Sequence, residues 1–98
     1  MIKDYLNKRK NYKILKDFIK KNINNFSYYK RYKFIKTHGH EGIIESFVDE
    51  RFCFVYRSNF NEESWNYLVY DLKKGLLNLT YLQRKSLFEF LKKKKINL

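Results

Sequence analysis

Apolar residues recur at helical spacing at the two ends of the chain and at alternating spacing through its middle; the change of period marks the element boundaries. Over residues 2–24, a step of about 100° per residue brings Tyr5, Tyr12, Leu15, Phe18, Ile19 and Ile23 onto one arc. Arg9, Lys10, Lys13, Lys16, Lys20 and Lys21 fall on the opposite arc, with Leu6, Lys8 and Ile14 as exceptions. This predicts an amphipathic helix, stopped by Asn22, Asn24 and Asn25. Residues 28–36 switch to a period of two. Tyr28, Lys30, Tyr32 and Phe34 share one face of the predicted strand, and Tyr29, Arg31, Lys33 and Ile35 the other. The segment His38-Gly39-His40-Glu41-Gly42 reads as a turn with glycines to take positive φ.

Residues 43–57 satisfy two templates. Ile43, Ile44, Phe47, Val48, Phe52, Val55 and Tyr56 make a helical stripe, but the β-branched and aromatic content favours two strands, 43–48 and 51–57. Their turn at Asp49-Glu50 lacks the Gly or Asn that short hairpins prefer. A strand follows over 65–72, then a Lys73-Lys74-Gly75 turn and a short return over 76–79. Thr80 and Gln83 have the spacing of a capping box. They open a helix over about 81–95 that buries Leu87, Phe88 and Leu91 and ends in Lys92–Lys95, where cations complement the helix dipole. The order is α-β-β-β-β-(β)-α. The expected fold class is α+β, a mostly antiparallel sheet of four to five strands flanked by an N-terminal and a C-terminal helix.

Length adds that 98 residues suit a single domain over 1–98. Nine Phe, nine Tyr and one Trp supply core material in the absence of Pro and Ala. Lys outnumbers Arg by 17 to 5, and Lys, Asn, Ile, Tyr and Phe share AT-rich codons, so base composition accounts for the choice of cation. It does not account for how charge is distributed. Residues 1–36 carry a net +10, 37–71 a net −5 and 72–98 a net +7. Two basic flanks around an acidic middle point to a charged working surface. Cys53 is the lone cysteine and sits in an apolar run, which excludes an internal disulfide and suits an inert thiol in a reducing, cytoplasmic setting. No apolar run approaches the roughly 20 residues of a membrane span, and the N-terminus lacks the features of a signal peptide.

The chemistry on offer is binding chemistry. Arg9, Lys10, Lys13, Lys16 and Lys20 of the first helix can join Arg84, Lys85, Lys92, Lys93, Lys94 and Lys95 in one phosphate-binding patch if the two helices lie side by side. The strand adds Lys30, Arg31 and Lys33, with Tyr29 positioned to stack on an unpaired base. His38, His40 and Glu41 could ligate a metal or act as acid and base, with Tyr32 or Arg51 beside them, but nothing else at recognised spacing completes such a site. No phosphate loop, zinc pattern or nucleophile motif is present. The expectation is a non-enzymatic protein without cofactor or metal that contacts nucleic acid or a nucleoprotein complex, and no membrane. Oligomeric state and the form of nucleic acid are left open by the pattern. A second reading is a phage- or mobile-element-encoded, anti-CRISPR-like inhibitor that docks on a host nucleic-acid-handling protein. A third is a small basic ribonuclease.

Overall fold

A computed structural model describes residues 2–35, 40–58 and 63–96, the side chains of 33–35, 40–41 and 63 excepted. Helix α1 spans Ile2–Lys21, strands β1 to β5 span Ser27–Ile35, His40–Val48, Phe52–Arg57, Tyr67–Asp71 and Gly75–Leu76, and helix α2 spans Tyr81–Lys95. The strands form one antiparallel sheet in the order β1-β2-β3-β4-β5, each beside its neighbour in sequence. The fold is α+β, with the element order read from the pattern.

Local chemistry explains the boundaries. Residues 22–24 do not extend α1. Asn22 turns its side-chain amide back to the Phe18 carbonyl, and Ile23–Asn25 form a single 3-10 turn. The β2–β3 hairpin closes without Gly or Asn because the Asp49 carboxylate accepts from the backbone N–H of Arg51 and Phe52, at 2.8 and 2.6 Å. The Asp71 carboxylate does the same for Lys73 and Lys74, and these backbone bonds hold its pKa below the ordinary value. Gly75 takes φ +94° at the end of that turn, where a side chain would be strained. Both bonds of the Thr80–Gln83 capping box are made, at 3.0 and 3.1 Å.

Further expectations are corrected. Gly42 lies inside β2 opposite Lys33 rather than in a turn, because β1 and β2 pair out to Ile35 and His40. The return strand stops at Leu76, and Trp65 belongs to a 3-10 turn before β4. Tyr5 stands 61% exposed although it shares the apolar arc of α1, since α2 covers only the later turns of that helix.

Both helices pack on one face of the sheet. Phe47 and Phe54 from the sheet, Leu15 and Ile19 from α1 and Leu87, Phe88 and Leu91 from α2 are buried in one cluster. Its rings meet edge to face, Phe47 with Phe88 at 5.2 Å and Phe18 with Phe52 at 5.0 Å between centroids. The helices run parallel and in register. Tyr12 Oη lies 2.9 Å from Ser86 Oγ, the Asn78 side-chain amide donates to Asp4 at 2.9 Å, and Lys16 reaches the Phe90 ring.

Candidate functional site

The parallel pairing concentrates charge. Helix α1 carries eight cations and two carboxylates and α2 six and one, so the two hold a net +11 of the chain's +12. Arg9, Lys13, Lys16 and Lys20 follow one another at spacings of four and three, a single stripe along α1. Lys16 Nζ and Lys94 Nζ each lie 5.9 Å from the centroid of the Phe90 ring, one from each helix. Lys20, Ile23, Phe90 and Lys94 line an open depression of about 280 Å3 at this seam. Cations from the two ends of the chain therefore meet at the α1–α2 seam. Lys10 and Lys93 are exposed on the outer side of the same layer.

The ion pairs on these helices, among the described residues, are Lys8–Asp4 at 3.3 Å and Lys92–Glu45 at 3.1 Å. Arg9, Lys13, Lys16 and Lys20 of the stripe pair with no carboxylate among the described residues. Lys92 is different from its neighbours. It reaches back to the sheet, where the Glu45 side chain is 7% exposed and also accepts from Tyr28 Oη at 2.6 Å. Burial, reinforced by that bond, pushes the Tyr28 hydroxyl up to about 12. Arg84 is likewise turned inward. Its guanidinium donates to the carbonyls of Tyr67, Leu79 and Ser64, tying the start of β4, the 3-10 turn before it and the β5–α2 connection to the helix. Lys92 and Arg84 are thus engaged with the sheet and with backbone carbonyls, and Lys85 sits on the same flank of α2 as Lys92, seven residues before it.

The strand candidates divide between two faces. Tyr29, 61% exposed, and Arg31 point away from the helices, whereas Lys30 lies on the helical side with its ammonium 5.6 Å from the ring of the exposed Tyr32. Lys33 is paired with Gly42, and its side chain falls outside the described set, as do the whole of His38 and Gly39 and the side chains of His40 and Glu41. Among the described residues, no three His, Cys, Asp or Glu side chains gather as metal ligands. Burial pushes the Cys53 thiol pKa up, which keeps it protonated. No helix among the described residues is long and apolar enough to cross a membrane.

A second surface was not anticipated from the sequence. The sheet face turned away from the helices is covered in part: Leu68 is 4% exposed and lies beside Trp65, whose carbonyl accepts from the Arg57 guanidinium. It presents three rows across the strands: Arg31–Ile44–Arg57, then Tyr29–Ser46–Val55–Leu68, then Ser27–Val48–Cys53–Tyr70–Leu76. Among the described side chains no carboxylate stands on it, since Glu45 and Asp71 take the opposite parity. The signal was available in Phe52-Cys53-Phe54-Val55-Tyr56, which is apolar at both parities, whereas a half-solvated antiparallel strand alternates with polar residues.

No model of a protein family, no curated protein and no solved structure matches this chain.

Proposed function

We propose that this protein binds nucleic acid, alone or within a nucleoprotein complex, through the helical layer, and that it does so in the cytoplasm without catalysing a reaction. The observation that carries this reading is the concentration of charge: a net +11 on two helices that lie side by side on one face of the sheet. A stripe of cations without carboxylate partners gains little from the fold itself. It gains most from an anionic polymer, whose condensed counterions are released as its phosphates are neutralised. Arg9, Lys13, Lys16, Lys20, Lys93 and Lys94 are the contacts expected to act together. Phosphate contact positions a protein without reading sequence, so binding is expected to be tight at low salt and indifferent to base order.

Fluorescence anisotropy with labelled single- and double-stranded DNA and RNA tests this across salt concentration. With about five phosphates neutralised, the logarithm of the association constant falls with the logarithm of salt at a slope of roughly −4 to −5 on duplex DNA. Replacing Arg9, Lys13, Lys20 and Lys94 by glutamine lowers the slope by about three to four. Failure to bind any of the four polymers, or binding that these four substitutions leave unchanged, refutes the reading.

A further inference from the structure

We infer that the helical layer takes single-stranded nucleic acid, one of whose bases lies against the Phe90 ring in the depression bounded by Lys20, Ile23 and Lys94. The inference rests on the reading of that layer as a nucleic-acid surface and adds which form of the polymer it holds. Ammonium groups alone do not select a single strand over a duplex, because both present phosphates. Aromatic surface does. A base in a single strand can leave its neighbours and lie on a ring, whereas a base in a duplex is already paired and stacked.

The α1–α2 seam supplies that surface. Rings and cations alternate along it, Tyr12 and Lys16 from α1, then Phe90 and Lys94 from α2. Lys16 Nζ lies 5.8 Å from the Tyr12 centroid and 5.9 Å from that of Phe90, and Lys94 Nζ lies 5.9 Å from Phe90 on its own helix. Phe90 is partly buried: it packs against the core cluster and also lines the depression. Pockets that enclose a whole drug-sized ligand run from about 300 to 1,000 Å3. At about 280 Å3 and open to solvent, this one suits a single flat ring whose attached chain stays outside. Ile23 and the methylene stems of Lys20 and Lys94 give that ring apolar walls, and the ammonium groups at the ends of the stems meet the phosphates beside it.

The cations fit a strand that follows the seam. Arg9 and Lys20 stand about 16 Å apart along α1 at about 1.5 Å per residue, with Lys13 and Lys16 between them. Such a row tracks one backbone, with Lys94 on the other side of the seam. The carboxylates nearest in sequence, Asp17 and Glu89, are exposed and stand about 100° round their helices from Lys16 and Phe90. Tyr29, the exposed tyrosine of β1, points away from the helices and shares no track with these lysines. Phe90 is therefore the ring that a strand held by the stripe can reach.

Fluorescence anisotropy on the unaltered protein tests this with three probes: an oligothymidylate of about twelve nucleotides, an abasic oligomer of the same length and charge, and a duplex of that length. The oligothymidylate is expected to bind at least about fivefold more tightly than the abasic oligomer, and more tightly than the duplex. Phe90→Leu keeps apolar volume against the core and removes the ring. It is expected to bring the oligothymidylate down to the abasic level and to leave duplex binding and its salt slope unchanged. Circular dichroism checks that the variant folds, and Phe90→Trp gives a readout that does not depend on truncation. Its added indole fluorescence, above the Trp65 signal of the unaltered protein, is expected to be quenched by the oligothymidylate and not by the abasic oligomer. Equal affinity for those two oligomers, a duplex bound as tightly as the single strand, a Phe90→Leu without effect, or an unquenched Phe90→Trp overturns the inference and leaves the electrostatic reading standing. Failure to bind any of the three probes overturns both.

Discussion

Replacing Lys92 by methionine leaves the buried Glu45 carboxylate with the Tyr28 hydroxyl as its only described hydrogen-bond partner and with Lys30 opposite it in β1. Two limits bracket the cost. An exposed ion pair contributes about 0–1 kcal/mol, whereas stripping one partner from a fully buried pair costs about 3–5 kcal/mol. Here the carboxylate is 7% exposed and the lysine 41%, so one charge is buried and the other half in water. An intermediate loss of about 2 kcal/mol follows, which in a domain of this size lowers the melting temperature by about 8–16 °C. Lys93→Met, one residue on and exposed, is expected to leave the melting temperature unchanged and to weaken binding to nucleic acid instead. In a Glu45→Gln background, Lys92→Met costs less, because no buried charge is orphaned. Thermal unfolding by circular dichroism, paired with anisotropy titrations, separates the two lysines. If Lys92→Met melts with the parent protein, the carboxylate is solvated and the division between inward and outward lysines is wrong.

Two more stability predictions follow from groups described above. Arg84→Met loses three carbonyl contacts from a half-buried guanidinium and is expected to destabilise by about 2–3 kcal/mol in urea melts; Arg84→Lys does not restore it, because one ammonium cannot span three carbonyls. Burial raises the pKa of Tyr28 and of Tyr67 from 10.0 to about 12, so the folded chain retains protons that the unfolded chain releases. The stability these hydroxyls contribute is complete below pH 10 and is lost as pH rises through about 12. Urea midpoints measured over that range should fall less steeply in Tyr28→Phe, and an unchanged slope refutes the assignment.

Periodicity carried the fold a long way. The α2 bounds, the capping box at Thr80 and the buried Leu87, Phe88 and Leu91 all follow from spacing and local chemistry, which depend on residues within one or two turns. The division of 43–57 into two strands was legible from β-branched content, although the device that closes the hairpin, the Asp49 carboxylate, was not. The basic patch was legible as segregation of charge along the chain. Its sorting was not, because the partners of Lys92 and Arg84 are set by tertiary packing: Glu45 lies 47 positions from Lys92, and Tyr67 lies 17 from Arg84. Helical phase sets Lys92 beside the Leu87, Phe88 and Leu91 stripe and Lys93 opposite it, but it does not name Glu45 as the partner. Tyr5 failed for the complementary reason, since an apolar arc predicts burial only where another element arrives to cover it.

Every strand hydrogen-bonds to its neighbour in sequence, while the Tyr12–Ser86 and Lys16–Phe90 contacts between the helices join residues 74 positions apart. Short reversals close quickly, so the meander can assemble early, but with only half its shielding. Among the described elements α1 precedes the sheet and α2 follows it, so the part of α1 that packs on α2 stays open until that helix of fifteen residues has been made. A molecule cut short before α2 would hold a formed sheet with Phe47 and Phe54 in water, a species for proteases and chaperones rather than a smaller working protein.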